Sequence, residues 1–398
     1  MINIVIGLSL GLADYLSRLT PVSYLHPIPL LSLICIALSF KGLLKKSWDE
    51  YLPEKPLLLL LFWGLALGIS RYFLFYKEDG FVYMPIVRHF AAFTIGIFTY
   101  QVLKTKLRNT NFYKLSLAIT LSSTIFLLIG IYQHFNHHYV GTFLRTQSLF
   151  TEPSYFGDYL VQIVAPCIFS CFWHFEKISR SLKVALCLVM ILWVLNFLFA
   201  QSATAVLKMG SLVFCFFLFY PAKAKHKIIP ALAIFLSLLL VLIFNQGYVK
   251  SVTLMALNIL KSPDLFFKYH TFYDRFYPIY ASVKELPSIS GILGHGFGGD
   301  YFEFQNLFPP STHEKMLWHK PNFSFFNSFA SKVIYYFGLA GLIWILTLFK
   351  RGFKTKNFII RAGLVNILVC SLWGVSNFAL PYIWLWLALS DKERKEET

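Results

Sequence analysis

The stretch LLLLLFWGLALGISRYFLF, residues 57–75, decides how the rest of the chain is read. Its only charge is Arg71, close to one end. A bilayer core is crossed by about 20 apolar residues in a helix, and this block has that length. Leucine and phenylalanine occupy every face rather than one stripe, so the segment is not the amphipathic helix of a soluble domain. It also lacks the in–out alternation of a barrel strand. Backbone groups in lipid must be satisfied within the segment, which leaves a helix.

Similar blocks recur on both sides of it. The spans are read at Ile2–Leu19, Ile28–Leu44, Leu57–Phe75, Tyr83–Leu103, Leu115–Gln133, Tyr155–Phe175, Lys183–Ala200, Ala203–Tyr220, Ile228–Asn245, Phe326–Phe349, Phe358–Leu372 and Val375–Leu389. The expected fold is therefore an all-α polytopic membrane protein of about 12 transmembrane helices. Composition agrees. The 398 residues are 57% hydrophobic and 14% charged, where soluble domains carry about 25% charged residues. The mean hydropathy is +0.60.

The formal net charge of +17 would suggest nucleic acid in a soluble protein. Here Lys and Arg gather in alternate short loops, for example Lys104, Lys106 and Arg108, or Lys350, Arg351 and Lys354. The short loops of the other set carry only Lys77 and Arg145. Positive loops stay in the cytoplasm, so both termini are expected inside and no nucleic-acid partner is expected. The first apolar stretch lacks a basic leader and a small-residue cleavage site, so it is expected to remain as a span. Cys35, Cys167, Cys171, Cys187, Cys215 and Cys370 lie in apolar blocks and are expected to be free thiols.

Alternation divides the chain into helices over 1–245, one long external loop over 246–325, and the remaining helices with a cytoplasmic tail over 326–398. The loop is rich in aromatic residues, notably Tyr269–Tyr280, and is expected to fold as a cap.

Inside the spans Arg18, Arg71, Arg88, Lys208 and Lys332 all fall near outer helix ends, and only Lys41 at an inner one. Long cationic side chains can snorkel to water. The positive-inside bias, however, would put anchoring residues at inner ends. An anion at the outer boundary explains the reversed distribution, and several cations suit a diphosphate.

Three motifs add chemistry. Arg145 through Tyr159 enters the sixth span from outside, with Pro153 suited to a first helical turn. Glu152 and Asp158 flank that turn as helix-end charges or, for Glu152, a general base. The run Gly291–Gly299 lacks the Gly-Lys-Ser/Thr ending of a phosphate loop; Gly294, His295 and Gly296 read as a tight turn that lets a substrate approach the backbone. His295, His313 and His319 are each a surface histidine or a base. His134, His137 and His138 have ligand-like spacing but no matching Cys or carboxylate set, so no metal is expected.

With these residues in view the chain resembles the O-antigen polymerase and O-antigen ligase superfamily of membrane glycosyltransferases. Four stretches carry the likeness: Arg145–Tyr159; Phe199–Val206; Asp274-Arg275-Phe276 with the later Gly-His-Gly-Phe-Gly run; and Phe326-Asn327-Ser328-Phe329 with Gly338-Leu-Ala-Gly341. Two positions depart from the pattern. The arginine expected near Ala203 is absent, with Lys208 further along that helix as its substitute. The histidine expected before Asn327 is Phe326, which argues against a ligase.

The resemblance implies a GT-C-like architecture and an inverting transfer of glycan from undecaprenyl diphosphate to a sugar hydroxyl on the periplasmic face of the bacterial inner membrane. It implies no cofactor. Its partners would be undecaprenyl-diphosphate-linked oligosaccharide, membrane lipid and a chain-length regulator protein. In this scheme Arg145, Arg275, Arg88, Lys208 and Lys332 hold the diphosphate, Glu152 or His319 is the base, and Gly294, His295, Gly296 and Asn327 line the substrate. A lipid-linked oligosaccharide flippase or other transporter is the alternative class. Transporters show repeated halves and broken midplane helices, neither of which is evident here.

Overall fold

The computed structural model describes residues 2–12, 30–44, 48–77, 83–137, 139–140, 143–150, 152–221, 247–307, 326–374 and 378–395. Among them the protein is helical apart from one antiparallel pair of two-residue strands, β1 (Tyr139–Val140) and β2 (Phe143–Leu144). Two helices open the chain, α1 (Ile2–Gly11) and α2 (Leu30–Leu44). The deciding stretch forms α3, Lys55–Arg71, extended by a π-helical turn over Tyr72–Tyr76. Next come α4 (Met84–Leu107) and α5 (Phe112–Phe135), then α6, running from Pro153 to Trp173 through a π turn at Leu160–Val164. Then follow α7 (Arg180–Ala200) and α8 (Ala203–Phe219). After the long segment that follows α8 come α14 (Phe329–Lys354), α15 (Phe358–Cys370) and α16 (Pro381–Lys395).

Six of these helices are long and apolar enough to cross a membrane: the α3 unit, α4, α5, α6, α7 and α14. α1, α2, α8 and α15 are shorter apolar helices. The span read at Ile228–Asn245 lies outside the described residues. All six cysteines are free thiols.

Burial sorts the long helices. α3 and α7 expose Leu59, Phe62, Leu74, Val184, Leu188 and Ile191. Apolar surface on that scale is what a lipid-facing helix presents. The last helix behaves oppositely: Ile383, Trp384, Leu385 and Trp386 are buried against α4 and α15. Two glycines make that possible. A Cβ on Gly96 would lie 2.5 Å from Nε1 of Trp384, and one on Gly363 2.7 Å from the Trp386 ring. The indoles then find acceptors: Trp384 Nε1 donates to Phe378 O at 2.6 Å and Trp386 Nε1 to Gln162 O at 2.9 Å. The π turn of α6 supplies that second carbonyl, and Trp193 uses another, Leu160 O, at 2.9 Å. Pro166 has no N–H to give Gln162 O, so the Trp386 indole satisfies that carbonyl, while Leu160 O accepts from Trp193 as well as from Ala165 N.

The described part of the long loop is folded. It comprises α9 (Tyr248–Lys261), α10 (His270–Glu285), α11 (Ile289–Leu293), α12 (Gly299–Phe302) and α13 (Phe304–Leu307). α10 and α11 pack on the first half of α14, and α9 on α8. The loop is pinned by a break in α14 at Gly338, whose φ of 60° and ψ of −136° only glycine adopts readily. The break frees two carbonyls. His295 N donates to Tyr335 O at 2.9 Å and Gly296 N to Tyr336 O at 3.0 Å. Phe297 N then reaches Gly64 O on α3 at 2.9 Å.

Candidate functional site

Arg145 is positioned by the turn before α6. The side-chain oxygen of Gln133 accepts from the amides of Gln147 (3.1 Å) and Ser148 (2.8 Å), and Thr146 N donates to Phe199 O at 3.1 Å. Arg145 itself donates through Nε to Ala200 O at 3.3 Å and lies 4.2 Å over the Tyr248 ring. It is half-buried. Burial pulls its pKa down, while Tyr248 and Glu152 act to raise it.

Glu152 occupies the position before α6, is exposed, and accepts from Ser154 Oγ at 2.8 Å. Within α6, Asp158 accepts from Lys208 Nζ of α8 at 2.6 Å. The same ammonium donates to Gly374 O at 2.7 Å and sits 5.8 Å from the Trp373 ring centre. The two helices approach closely because Gly157 has no side chain: a Cβ there would meet Ala205 Cβ at 2.6 Å. Ser202 caps α8 by accepting from Ala205 N at 3.2 Å, which sets where Lys208 falls. Arg275 of α10, half-buried, and Glu152 both interact electrostatically with Asp158. Arg145, Glu152, Asp158, Lys208 and Arg275, scattered over some 130 residues of sequence, therefore form one neighbourhood.

A second group adjoins it. Lys332 on α14 is buried and interacts with Asp300 of α12, Asp274 of α10 and Arg88 of α4. Asp300 also accepts from Tyr336 OH at 2.5 Å and Phe326 N at 3.1 Å. Asp274 accepts from Asn327 Nδ2 at 2.5 Å. A third group surrounds Glu303, which is ion-paired with Arg71 and accepts from Tyr335 OH at 2.7 Å and Tyr76 OH at 3.0 Å; His295 Nδ1 lies 2.8 Å away. Burial pushes the Glu303 carboxyl up, but the hydrogen bond and charge of His295, the Tyr335 hydroxyl and Arg71 outweigh it and hold it at about 2.

These placements revise several expectations. Arg71, Lys208 and Lys332 face carboxylates of the chain itself, not open space. Lys208 in particular has its charge balanced by Asp158, so Arg145 and Arg275 are the more open cations of the first group. Gly294 and Gly296 do not open the backbone to a substrate. A Cβ on Gly294 would lie 2.4 Å from Tyr336 O, and one on Gly296 2.1 Å from Gly68 N, so helix backbone fills that space. Their φ values of 92° and 74° serve the docking of the loop onto α14 and α3. His295 is buried rather than a surface histidine. Arg18, His138, His313 and His319 lie outside the described residues.

Sequence reasoning did not assign Asp300, Glu303 and Tyr335. The available signal was the spacing of Asp300 and Glu303, which puts both carboxylates on one helical face in an aromatic setting. Among the described residues no group of three or more His, Cys, Asp or Glu is placed to hold a metal ion.

What the fold and site define is an all-α chain with the long apolar helices of a membrane protein and an ionised, aromatic-lined polar cluster where its folded loop meets the bundle. No family model, curated protein or solved structure matches the chain.

Proposed function

We propose that the chain is a polysaccharide polymerase of the inner membrane. It would transfer glycan from undecaprenyl diphosphate to a sugar hydroxyl on the periplasmic face, with inversion at the anomeric carbon. The observation that carries this reading is the half-buried pair Arg145 and Arg275, drawn around the buried Asp158–Lys208 bridge beside the outer end of α6. In a transfer from a lipid diphosphate the negative charge grows on the departing phosphate, and fixed cations there stabilise the transition state more than the ground state. Asp158–Lys208 sets the spacing of α6 and α8, and the two arginines meet the phosphates. Trp373, stacked 6.1 Å from Phe276 and over Lys208, offers an aromatic face to a sugar. Glu152, the base named first from sequence, stands on the donor side of this arrangement.

In this reading all twelve spans cross the membrane, basic loops and both termini lie in the cytoplasm, and α9 to α13 form the outer cap. Support comes from the loop's pairing with outer helix ends: Arg71 meets Glu303, and Lys332 meets Asp300. Deleting the chain from its host and analysing the glycan tests the assignment. Single repeat units on the final acceptor are expected. Accumulated lipid-linked polymer would instead mark a ligase, and units trapped on the cytoplasmic side a flippase.

A further inference from the structure

The His295 ring is held on three sides. Its backbone amide is fixed to α14, its face lies 4.0 Å from the Tyr335 ring at 7°, and its Nδ1 lies 2.8 Å from Glu303 Oε2. The other nitrogen, Nε2, is buried and has no hydrogen-bond partner among the described residues. Buried polar atoms are almost always paired, so an orphan in an otherwise saturated cluster marks a group kept for another use. Arg71 NH1 also lies 2.8 Å from Nδ1, but Arg71 forms its ion pair with the same carboxylate. Putting the ring proton on Nδ1 turns it toward a full negative charge and leaves Nε2 with its lone pair. This is how a carboxylate orients a histidine base.

The pair lies beside the cation groups. Asp300 and Glu303 are one helical turn apart, and their donors Tyr336 and Tyr335 are adjacent on α14. Lys332, one turn before Tyr336, faces Asp300 and Asp274, and Asp274 precedes Arg275. A polar seam thus runs from the arginines to His295.

We infer that His295, oriented by Glu303, accepts the proton of the acceptor sugar hydroxyl; this role rests on the transferase reading above. The hydroxyl O–H bond breaks and its proton passes to Nε2. The oxygen lone pair forms the new bond to the anomeric carbon. The carbon–oxygen bond to phosphate breaks, and its electron pair leaves with the lipid diphosphate. The imidazolium then returns its proton to water. Among the described residues, the charged and titratable groups facing the ring are Arg71 from α3, Glu303, which follows α12, and Tyr335 from α14, and Tyr76 donates to the same carboxylate.

The test uses full-length protein in nanodiscs and lipid-linked repeat units extracted from cells lacking the chain, with initial rates of polymer formation measured from pH 5 to 9. The wild-type rate should fall on the acid side along a single ionisation. His295→Asn and His295→Gln should lose about 10²- to 10⁴-fold in kcat with KM little changed. Glu303→Gln should shift the acid limb, and Glu152→Gln should keep it. Three outcomes overturn the assignment: an active wild type with a flat acid side, a His295→Asn enzyme within tenfold of wild type, or an acid limb that disappears in Glu152→Gln. If the His295 variants do not fold, the wild-type limb and its shift in Glu303→Gln decide. A wild type that makes no polymer overturns the transferase reading, and this role falls with it.

Discussion

At the scale of single residues, a cation already balanced by a carboxylate differs from one left open. Asp158 and Lys208 are buried and bonded to each other at 2.6 Å. Removing one partner of such a pair leaves an uncompensated buried charge and costs about 3–5 kcal/mol. Asp158→Asn should therefore lower the melting temperature clearly, whereas Asp158→Leu with Lys208→Met should recover most of the loss. Arg275 differs, because it is half-buried and among the described residues its charge is not matched by a direct bridge. Arg275→Gln should keep the melting temperature near wild type while kcat falls by about 10²- to 10³-fold, the usual cost of one transition-state charge donor. Equal losses of stability and activity would show a structural role instead. Glu303 gives a pH prediction. Its carboxyl is held at about 2, below its ordinary 4.5. A depressed carboxylate contributes stability that is complete above 4.5 and lost as pH falls toward 2. The melting-temperature gap between wild type and Glu303→Gln should be constant at neutral pH and close between pH 4.5 and 2.

At the scale of elements, the docking of the loop depends on the break at Gly338. A Cβ there would meet Ile292 O at 2.2 Å in addition to the φ penalty. Gly338→Ala should release the Gly-His-Gly run, and limited proteolysis should then cut within residues 286–307 while the helices stay intact. Unchanged protection would remove the break as the anchor. The helices themselves were legible in the sequence, because unbroken apolar blocks of span length admit little else. The α3 unit lies where residues 57–75 were read, and α6 starts at the Pro153 turn. Less legible was α16, read as Val375–Leu389 but helical over Pro381–Lys395. Its interior position was also hidden, since hydropathy does not separate a helix facing lipid from one facing other helices. The glycine run misled for a related reason. Sequence shows that a close approach is needed at Gly294 and Gly296, not whether a ligand or another helix comes close.

At the scale of the whole molecule, Lys and Arg gather in one alternate set of short connections and the folded loop belongs to the other set, and the proposed orientation puts the basic set in the cytoplasm. Reporter fusions after Lys354 should report cytoplasm, and fusions after Ser262 the opposite side; the reverse pattern would move the site away from lipid-linked glycans. The opposite end carries its own charge cluster, in which Arg351 and Lys104 pair with Asp391 and Lys104 also with Glu54. It ties α4, α14 and α16 together. Among the site residues, Arg145, Glu152, Lys208 and Arg275 were named from the sequence and do meet, because α6, α8 and α10 converge. That these cations would be balanced by Asp158, Asp300 and Glu303 was not legible, since the partners lie 32 to 232 residues away. The central claim is that these arginines hold a leaving lipid diphosphate. Purified protein given lipid-linked repeat units should build a ladder and release undecaprenyl diphosphate in step with each new glycosidic bond, and Arg145→Gln with Arg275→Gln should do neither. A wild type that leaves the lipid-linked units unchanged, or a double variant that matches its rate, would contradict it.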